Sequence, residues 1–274
     1  MINARKLWLW LGGIFVLSFA ILGLIGREIY VKAPPVPERV VTASGQTLYS
    51  RADVETGREV WQSLGGMELG SVWGHGGYVA PDWSADWLHR EASTLLEIWA
   101  RRDFGTRFSA LDAERQAALR ERLRQELRTN RYDPATQTIT VSAARGQAIA
   151  LVADHYARLF SGDPALRHLR TQYAIPERTL VDPAKRAQLG AFFFWTAWAC
   201  VTQRPGDTIS YTNNWPHEPL VGNTPSASLG IWSIASVLFL IAGIGWLTWY
   251  QARRGEDEHA ETPARDPFLQ LKPT

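Results

Sequence analysis

The chain has 274 residues, 46% apolar and 20% charged, with a net charge of +2. That length allows one large domain or two small ones around a real core, and the small charge without a dense Lys/Arg cluster excludes nucleic acid as a partner. Cys200 is the only cysteine, which excludes an intrachain disulfide, a CxxC metal or redox motif, and covalent attachment of a c-type haem.

Leu7 to Gly26 runs about 20 residues without a charge, enough for a bilayer core of roughly 30 Å. Arg5 and Lys6 precede it and Arg27-Glu28 follow it. The run is longer than the apolar region of a signal peptide and leads into a poor cleavage site, so it reads as a retained anchor. Ala33-Pro34-Pro35-Val36-Pro37 then makes a stiff, extended exit from the membrane.

Val40-Val41-Thr42 and Thr47-Leu48-Tyr49, joined through Ser44-Gly45, predict a small hairpin. Asp53 to Leu64 predicts a helix, and Gly65-Gly66, Gly70, Gly74 and Gly76-Gly77 break it into an irregular loop. Asp82 is placed to cap the next helix, with Leu88, Leu95, Leu96 and Trp99 at helical spacing. Leu111, Leu119, Leu123 and Leu127 mark a third helix, and Thr138 to Val141 a short strand. Ile149, Val152, Tyr156 and Leu159 define a fourth helix, and Asp182 into the Phe-rich run gives a fifth.

Within that fifth helix, Leu189 to Val201 is apolar for 13 residues, too short to span and suited to a buried or interfacial position. Leu229 to Tyr250 is a second uncharged run of spanning length, with Trp246, Trp249 and Tyr250 as an interfacial belt and Arg253-Arg254 beyond. Positive charge at the outer end of each span places both termini in the cytoplasm and everything between them outside, in the periplasm of a Gram-negative cell. Small and polar positions in the spans (Gly12, Gly13, Gly243, Gly245, Ser233 and Ser236) suit close packing against other membrane helices. The charged, Pro-containing tail from Arg253 to Thr274 reads as a linker.

The densest chemistry lies in Trp61 to Arg90, WQSLGGMELGSVWGHGGYVAPDWSADWLHR. His89 follows Asp86 by three residues, a spacing that brings both to one helix face, but a zinc site needs a third ligand that spacing alone does not supply. Gly74-His75-Gly76 is too short a glycine pattern to argue for phosphate. No nucleophile elbow, Walker loop, dinucleotide fingerprint or HExxH is present. Residue chemistry alone therefore yields an anchored external domain with a glycine-aromatic loop and no visible active site.

Two blocks carry a resemblance. Val60 to Ser63 with Gly74 to Trp83 and Ala85 to Glu91 forms the first; Phe192 to Trp198 with Asn213 to Asn223 and the following span forms the second. Together they resemble the periplasmic region of quinol-dependent nitric oxide reductases, over essentially the whole chain. The resemblance implies a mainly α fold: two transmembrane helices flanking a haem-free, cytochrome-c-like periplasmic domain with a small β hairpin, glycines and aromatics filling the space of a lost porphyrin.

The implied organisation is an anchor at 1–28, the periplasmic domain at 29–226, a second span at 227–252, and at 253–274 a cytoplasmic linker towards a catalytic domain. In this family that catalytic part carries haem b, haem b3 and a non-haem iron on later membrane helices, and reduces NO to N2O with quinol electrons. The two spans here contain no His, Asp or Glu, so the chain alone is expected to be inactive and to bind no cofactor of its own. It is expected to anchor and cap the catalytic membrane domain in the bacterial inner membrane. The family also implies a calcium half-site from a G-x-Y element, here the Gly76 carbonyl and Tyr78, since oxygen ligands suit so hard a cation; the alternative is a loop whose Tyr78 packs in the core.

Two readings from other classes compete. A two-span sensor or binding ectodomain wants a cytoplasmic output domain, for which about 20 residues after the second span are too few. A periplasmic electron carrier needs a redox centre, and the missing haem motif argues against one.

Overall fold

The computed structural model describes residues 4–74 and 81–257, which hold eight α-helices and a four-stranded sheet. Ala4–Val31 forms α1, whose 24-residue window Trp8–Val31 has no buried residue and contains an 18-residue stretch with a mean hydropathy of 2.3. At 1.5 Å per residue that window extends about 36 Å, enough to cross a bilayer core. Apolar side chains exposed on every face are unstable in water and stable in lipid.

The domain that follows α1 begins with two strands, β1 (Arg39–Thr42) and β2 (Thr47–Ser50), paired antiparallel as expected. The hairpin is only part of a larger sheet. After the short strand β3 (Tyr132–Asp133) comes β4 (Thr138–Val141), which lies parallel to β1 with Val40 opposite Ile139; the strand order is β2-β1-β4-β3.

Helix α2 (Arg51–Ser63) starts two residues before the sequence pattern indicates, because Ser50 and Asp53 form a capping box. The Ser50 amide donates to Asp53 Oδ2 at 2.8 Å while Ser50 Oγ accepts from the Asp53 amide at 3.2 Å. Asp82 caps α3 (Trp83–Phe104) as predicted, accepting from the Ala85 amide at 3.0 Å. Helix α4 (Ala113–Arg128) excludes Leu111, since Asp112 takes the cap position. Ser142 caps α5 (Ala143–Ser161), and a short α6 (Arg167–Gln172), not indicated by periodicity, follows.

Helix α7 (Pro183–Val201) organises the core. Asp182 caps it, and all thirteen residues from Leu189 to Val201 are buried. The apolar run thus belongs to the interior, with α2, α3 and α5 packed around it. Trp83 stacks on Phe193 with centroids 5.1 Å apart, and Trp87 stacks on Tyr156 at 5.2 Å. Burying each Leu or Phe of such a core contributes about 1.5–3 kcal/mol. Gly57 permits the closest approach: a Cβ there would run into the Gln188 carbonyl and Cβ of Phe192.

Internal contacts separate a second unit from Ser226 onward. It contains α8 (Ala227–Asp257), whose window Gly230–Arg253 has no buried residue and contains an 18-residue stretch with a mean hydropathy of 2.0. The Trp246 and Tyr250 rings stack at 5.7 Å within it. The helix continues through Asp257, so the first residues of the expected linker, Arg253 to Asp257, are helical; the remainder of the tail lies outside the described residues.

Candidate functional site

The two sequence blocks meet in space around α3 and α7. Asp82, besides capping α3, accepts from Ser71 Oγ at 2.9 Å and from the Gly74 amide at 2.6 Å. Backbone bonds from Trp83 to Ser71 (2.8 Å) and from Ser71 to Pro81 (3.1 Å) close the same ring of contacts. Trp73 donates from its indole to the Thr196 carbonyl of α7 at 3.0 Å. Gly74 has φ +76, and a Cβ there would run into the Trp215 indole. Both shoulders of the glycine-aromatic loop are therefore fixed by one carboxylate and by the second block.

One turn into α3, Asp86 is a hub. It accepts from Tyr156 at 2.6 Å, from Tyr173 at 2.8 Å and from Arg90 at 2.8 Å and 3.2 Å. Burial alone would raise its pKa, but the Arg90 contact and the two phenols outweigh it and hold the carboxyl below its usual value. Burial pushes Tyr156 well above the ordinary phenol range, so its hydroxyl stays a donor.

A second buried charge lies one turn further on. Glu91 accepts from Arg145 Nε at 2.7 Å and from the Trp87 indole at 2.9 Å. A third polar centre joins α4 to the second block: Arg128 donates to Asn223 Oδ1 (3.1 Å), Asn214 Oδ1 (3.2 Å) and the Thr208 carbonyl (2.8 Å). Asn223 in turn donates to the carbonyls of Cys200 (3.1 Å) and Pro216 (2.7 Å). His89 reaches the same block through Glu218, Nδ1 to Oε2 at 2.9 Å.

A groove of about 370 Å3 runs between α3 and α5, with His89, Arg90, Leu151 and His155 among its lining. Burial, then the charge of Arg90, lowers the pKa of His155 to about 4, and its Nε2 is shielded without a partner among the described residues. The Cys200 thiol is buried and pushed up by that burial, so it is no nucleophile.

A family model for the cytochrome c-like domain of the nitric oxide reductase protein NorB matches residues 37–217. The chain belongs to this family. A search of curated proteins finds no match.

The cytochrome c-like name raises the question of haem, and the residues do not fit a covalently held one. A single cysteine, enclosed in α7, cannot make the two thioether links. Trp83, Trp87, Tyr156, Phe160, Phe193 and Phe194 are fully buried and occupy the interior with rings in mutual contact.

Asp86 and His89, adjacent by sequence spacing, take different partners, and no group of three metal-ligating side chains occurs among the described residues. The family-implied calcium residues Gly76 and Tyr78, with His75, lie outside the described residues. The sequence pattern gives no role to Arg145 or Arg128, and places Glu91, Glu218 and Asn223 in the two resembling blocks without assigning them partners. For Glu91 and Arg145 a signal existed: Glu91 lies between Leu88 and Leu95 on the apolar stripe of α3, and Arg145 precedes Ile149 and Val152 on that of α5. A charge on a buried stripe announces a buried partner.

Proposed function

We propose that this NorB module of nitric oxide reductase is of the quinol-dependent type and acts as a non-catalytic membrane anchor and periplasmic cap for the catalytic membrane domain. The observation that carries this reading is the family match over residues 37–217, most of the segment that follows α1 and precedes α8 in sequence. The family reaction couples two NO molecules with two electrons and two protons to give N2O and water. Haem b, haem b3 and non-haem iron in the catalytic part supply that chemistry.

The described residues fit support better than chemistry. Asp86, Glu91 and Arg128 are each tied to several partners at once, an arrangement that rigidifies and leaves no base free beside a nucleophile. The aromatic interior supports a domain that works without a haem of its own. We place the domain in the periplasm and the termini in the cytoplasm, from the charges flanking the two spans. Gly76 and Tyr78 are proposed as oxygen ligands of a calcium site completed by the catalytic domain; Asp82, by holding Gly74, fixes the chain just before them.

The test pairs a spectrum with an assay. The detergent-solubilised chain, reduced with dithionite, should show no Soret band and consume no NO with reduced quinol. Mixed with a haem-b-containing catalytic domain of the family, it should co-purify with it. A stoichiometric haem band, or NO turnover by the chain alone, would overturn the reading.

A further inference from the structure

Where α1 leaves its membrane-length segment, a cavity of about 480 Å3 opens between the last turn of that helix and the external domain. Glu28 of α1 and Lys32, just past its end, line one side, and Trp73, Arg204, Tyr211 and Asn213 the other. The exit is held in place, because the Trp195 indole of α7 donates to the Pro35 carbonyl at 2.9 Å.

The charges in this cavity do not cancel. Lys32 pairs with Glu28 at 2.5 Å. Among the described residues, Arg204 is bonded only to neutral oxygens, the Tyr211 carbonyl at 2.8 Å and Asn213 Oδ1 at 3.1 Å, both through Nη2. Its Nε is shielded from water with no partner among those residues. A guanidinium and an ammonium that line one cavity with a single carboxylate, Glu28, leave one net positive charge there, and such cations are the donors of a phosphate site.

Depth selects the source of the phosphate. The cavity lies at the end of the Trp8–Val31 window, where headgroups meet water, and Ile29, Ala33 and Pro34 give it an apolar flank. Trp73 and Tyr211 supply the amphipathic rings favoured at that level. We propose that this cavity binds the phosphate of an anionic phospholipid headgroup, with Arg204 as direct donor and Lys32 as the second cation. The proposal rests on α1 crossing the membrane and is independent of the reductase reading.

The experiment is native mass spectrometry of the full chain released from vesicles of phosphatidylglycerol and phosphatidylcholine in equal parts. Wild type should retain one phosphatidylglycerol in preference to phosphatidylcholine. Arg204→Gln and Lys32→Gln should each lower that retention, Arg204→Gln by about tenfold, and Arg204→Lys should keep most of it. Arg101→Gln, far along α3, should change nothing. Millimolar inorganic phosphate should not displace the lipid.

Retention in both glutamine variants equal to wild type would overturn the proposal; Lys32 is half-exposed in the turn after α1, so its variant folds even if Arg204→Gln does not. Displacement by free phosphate with no preference between lipids would overturn the headgroup as ligand. Release of the chain by alkaline carbonate would overturn the membrane reading beneath it.

Discussion

Glu91 and Arg145 meet at 2.7 Å across α3 and α5, the first 1% and the second 3% exposed. Neither charge is solvated, and Arg145 Nη2 has no partner among the described residues. Removing one partner strands the other, which costs about 3–5 kcal/mol. Glu91→Gln and Arg145→Met should therefore each lower the thermal midpoint of the solubilised chain sharply. Glu91→Leu combined with Arg145→Met should cost less than the two single changes added together, as circular dichroism melts would reveal. Simple additivity would mean that the pair does not act as a unit.

Gly57 sets how closely α2 and α7 approach, and its replacement separates crowding from backbone strain. Gly57→Ala forces a methyl against the Gln188 backbone, an overpacking worth about 3 kcal/mol. Gly45→Ala meets nothing within 4 Å and suffers only from its φ of +85, worth about 1 kcal/mol. Chemical denaturation of the two variants should rank them in that order.

Asp86 ties stability to acid. Its carboxyl is held below the usual value in the fold, so its contribution is complete above the unfolded carboxylate pKa of about 3.9 and is lost as pH falls through the lower folded value. Asp86→Asn should cost about 2–4 kcal/mol at neutral pH, because the buried Tyr156 hydroxyl loses its anionic acceptor. The difference in melting midpoint between wild type and variant should shrink below about pH 4. An unchanged difference down to pH 2 would show that the hub is not ionised.

His155 acts in a different window. Its pKa falls from 6.5 to about 4 on folding, so the unfolded chain takes up the proton first. Stability is complete above 6.5 and declines as pH drops toward 4, by about 1 kcal/mol after allowance for its partial exposure. His155→Gln should flatten the melting midpoint across that interval while leaving the acid limb attributed to Asp86 in place.

Much of the helical frame is legible in local sequence. Asp82 and Asp182 announce their helices because a short carboxylate before an apolar period has one obvious use. The run Leu189 to Val201 reads correctly as interior because 13 residues cannot cross a bilayer. The parallel pairing of Val40 with Ile139 is not legible, since four-residue strands far apart in sequence carry no mark of their partner. Arg128 is hidden for a related reason. At the end of a charged helix it looks like a solvated arginine, and only the tertiary approach of Asn214 and Asn223 makes it a buried one.

The interior helix α7 also bears on how the chain is made. A translocon judges apolar length before any tertiary partner exists to shield it. The 13-residue stretch extends about 20 Å, too short to be halted in a layer of roughly 30 Å; on the proposed periplasmic placement it would pass through before α2, α3 and α5 enclose it. Lys185, Arg186 and Gln188 on the preceding turns keep it short. Leucines in their place would lengthen the run into a stop signal, and α8 would then enter the membrane in the reverse sense. On the proposed topology, the polar half of α7 thus keeps the apolar run below spanning length while its apolar half builds the core.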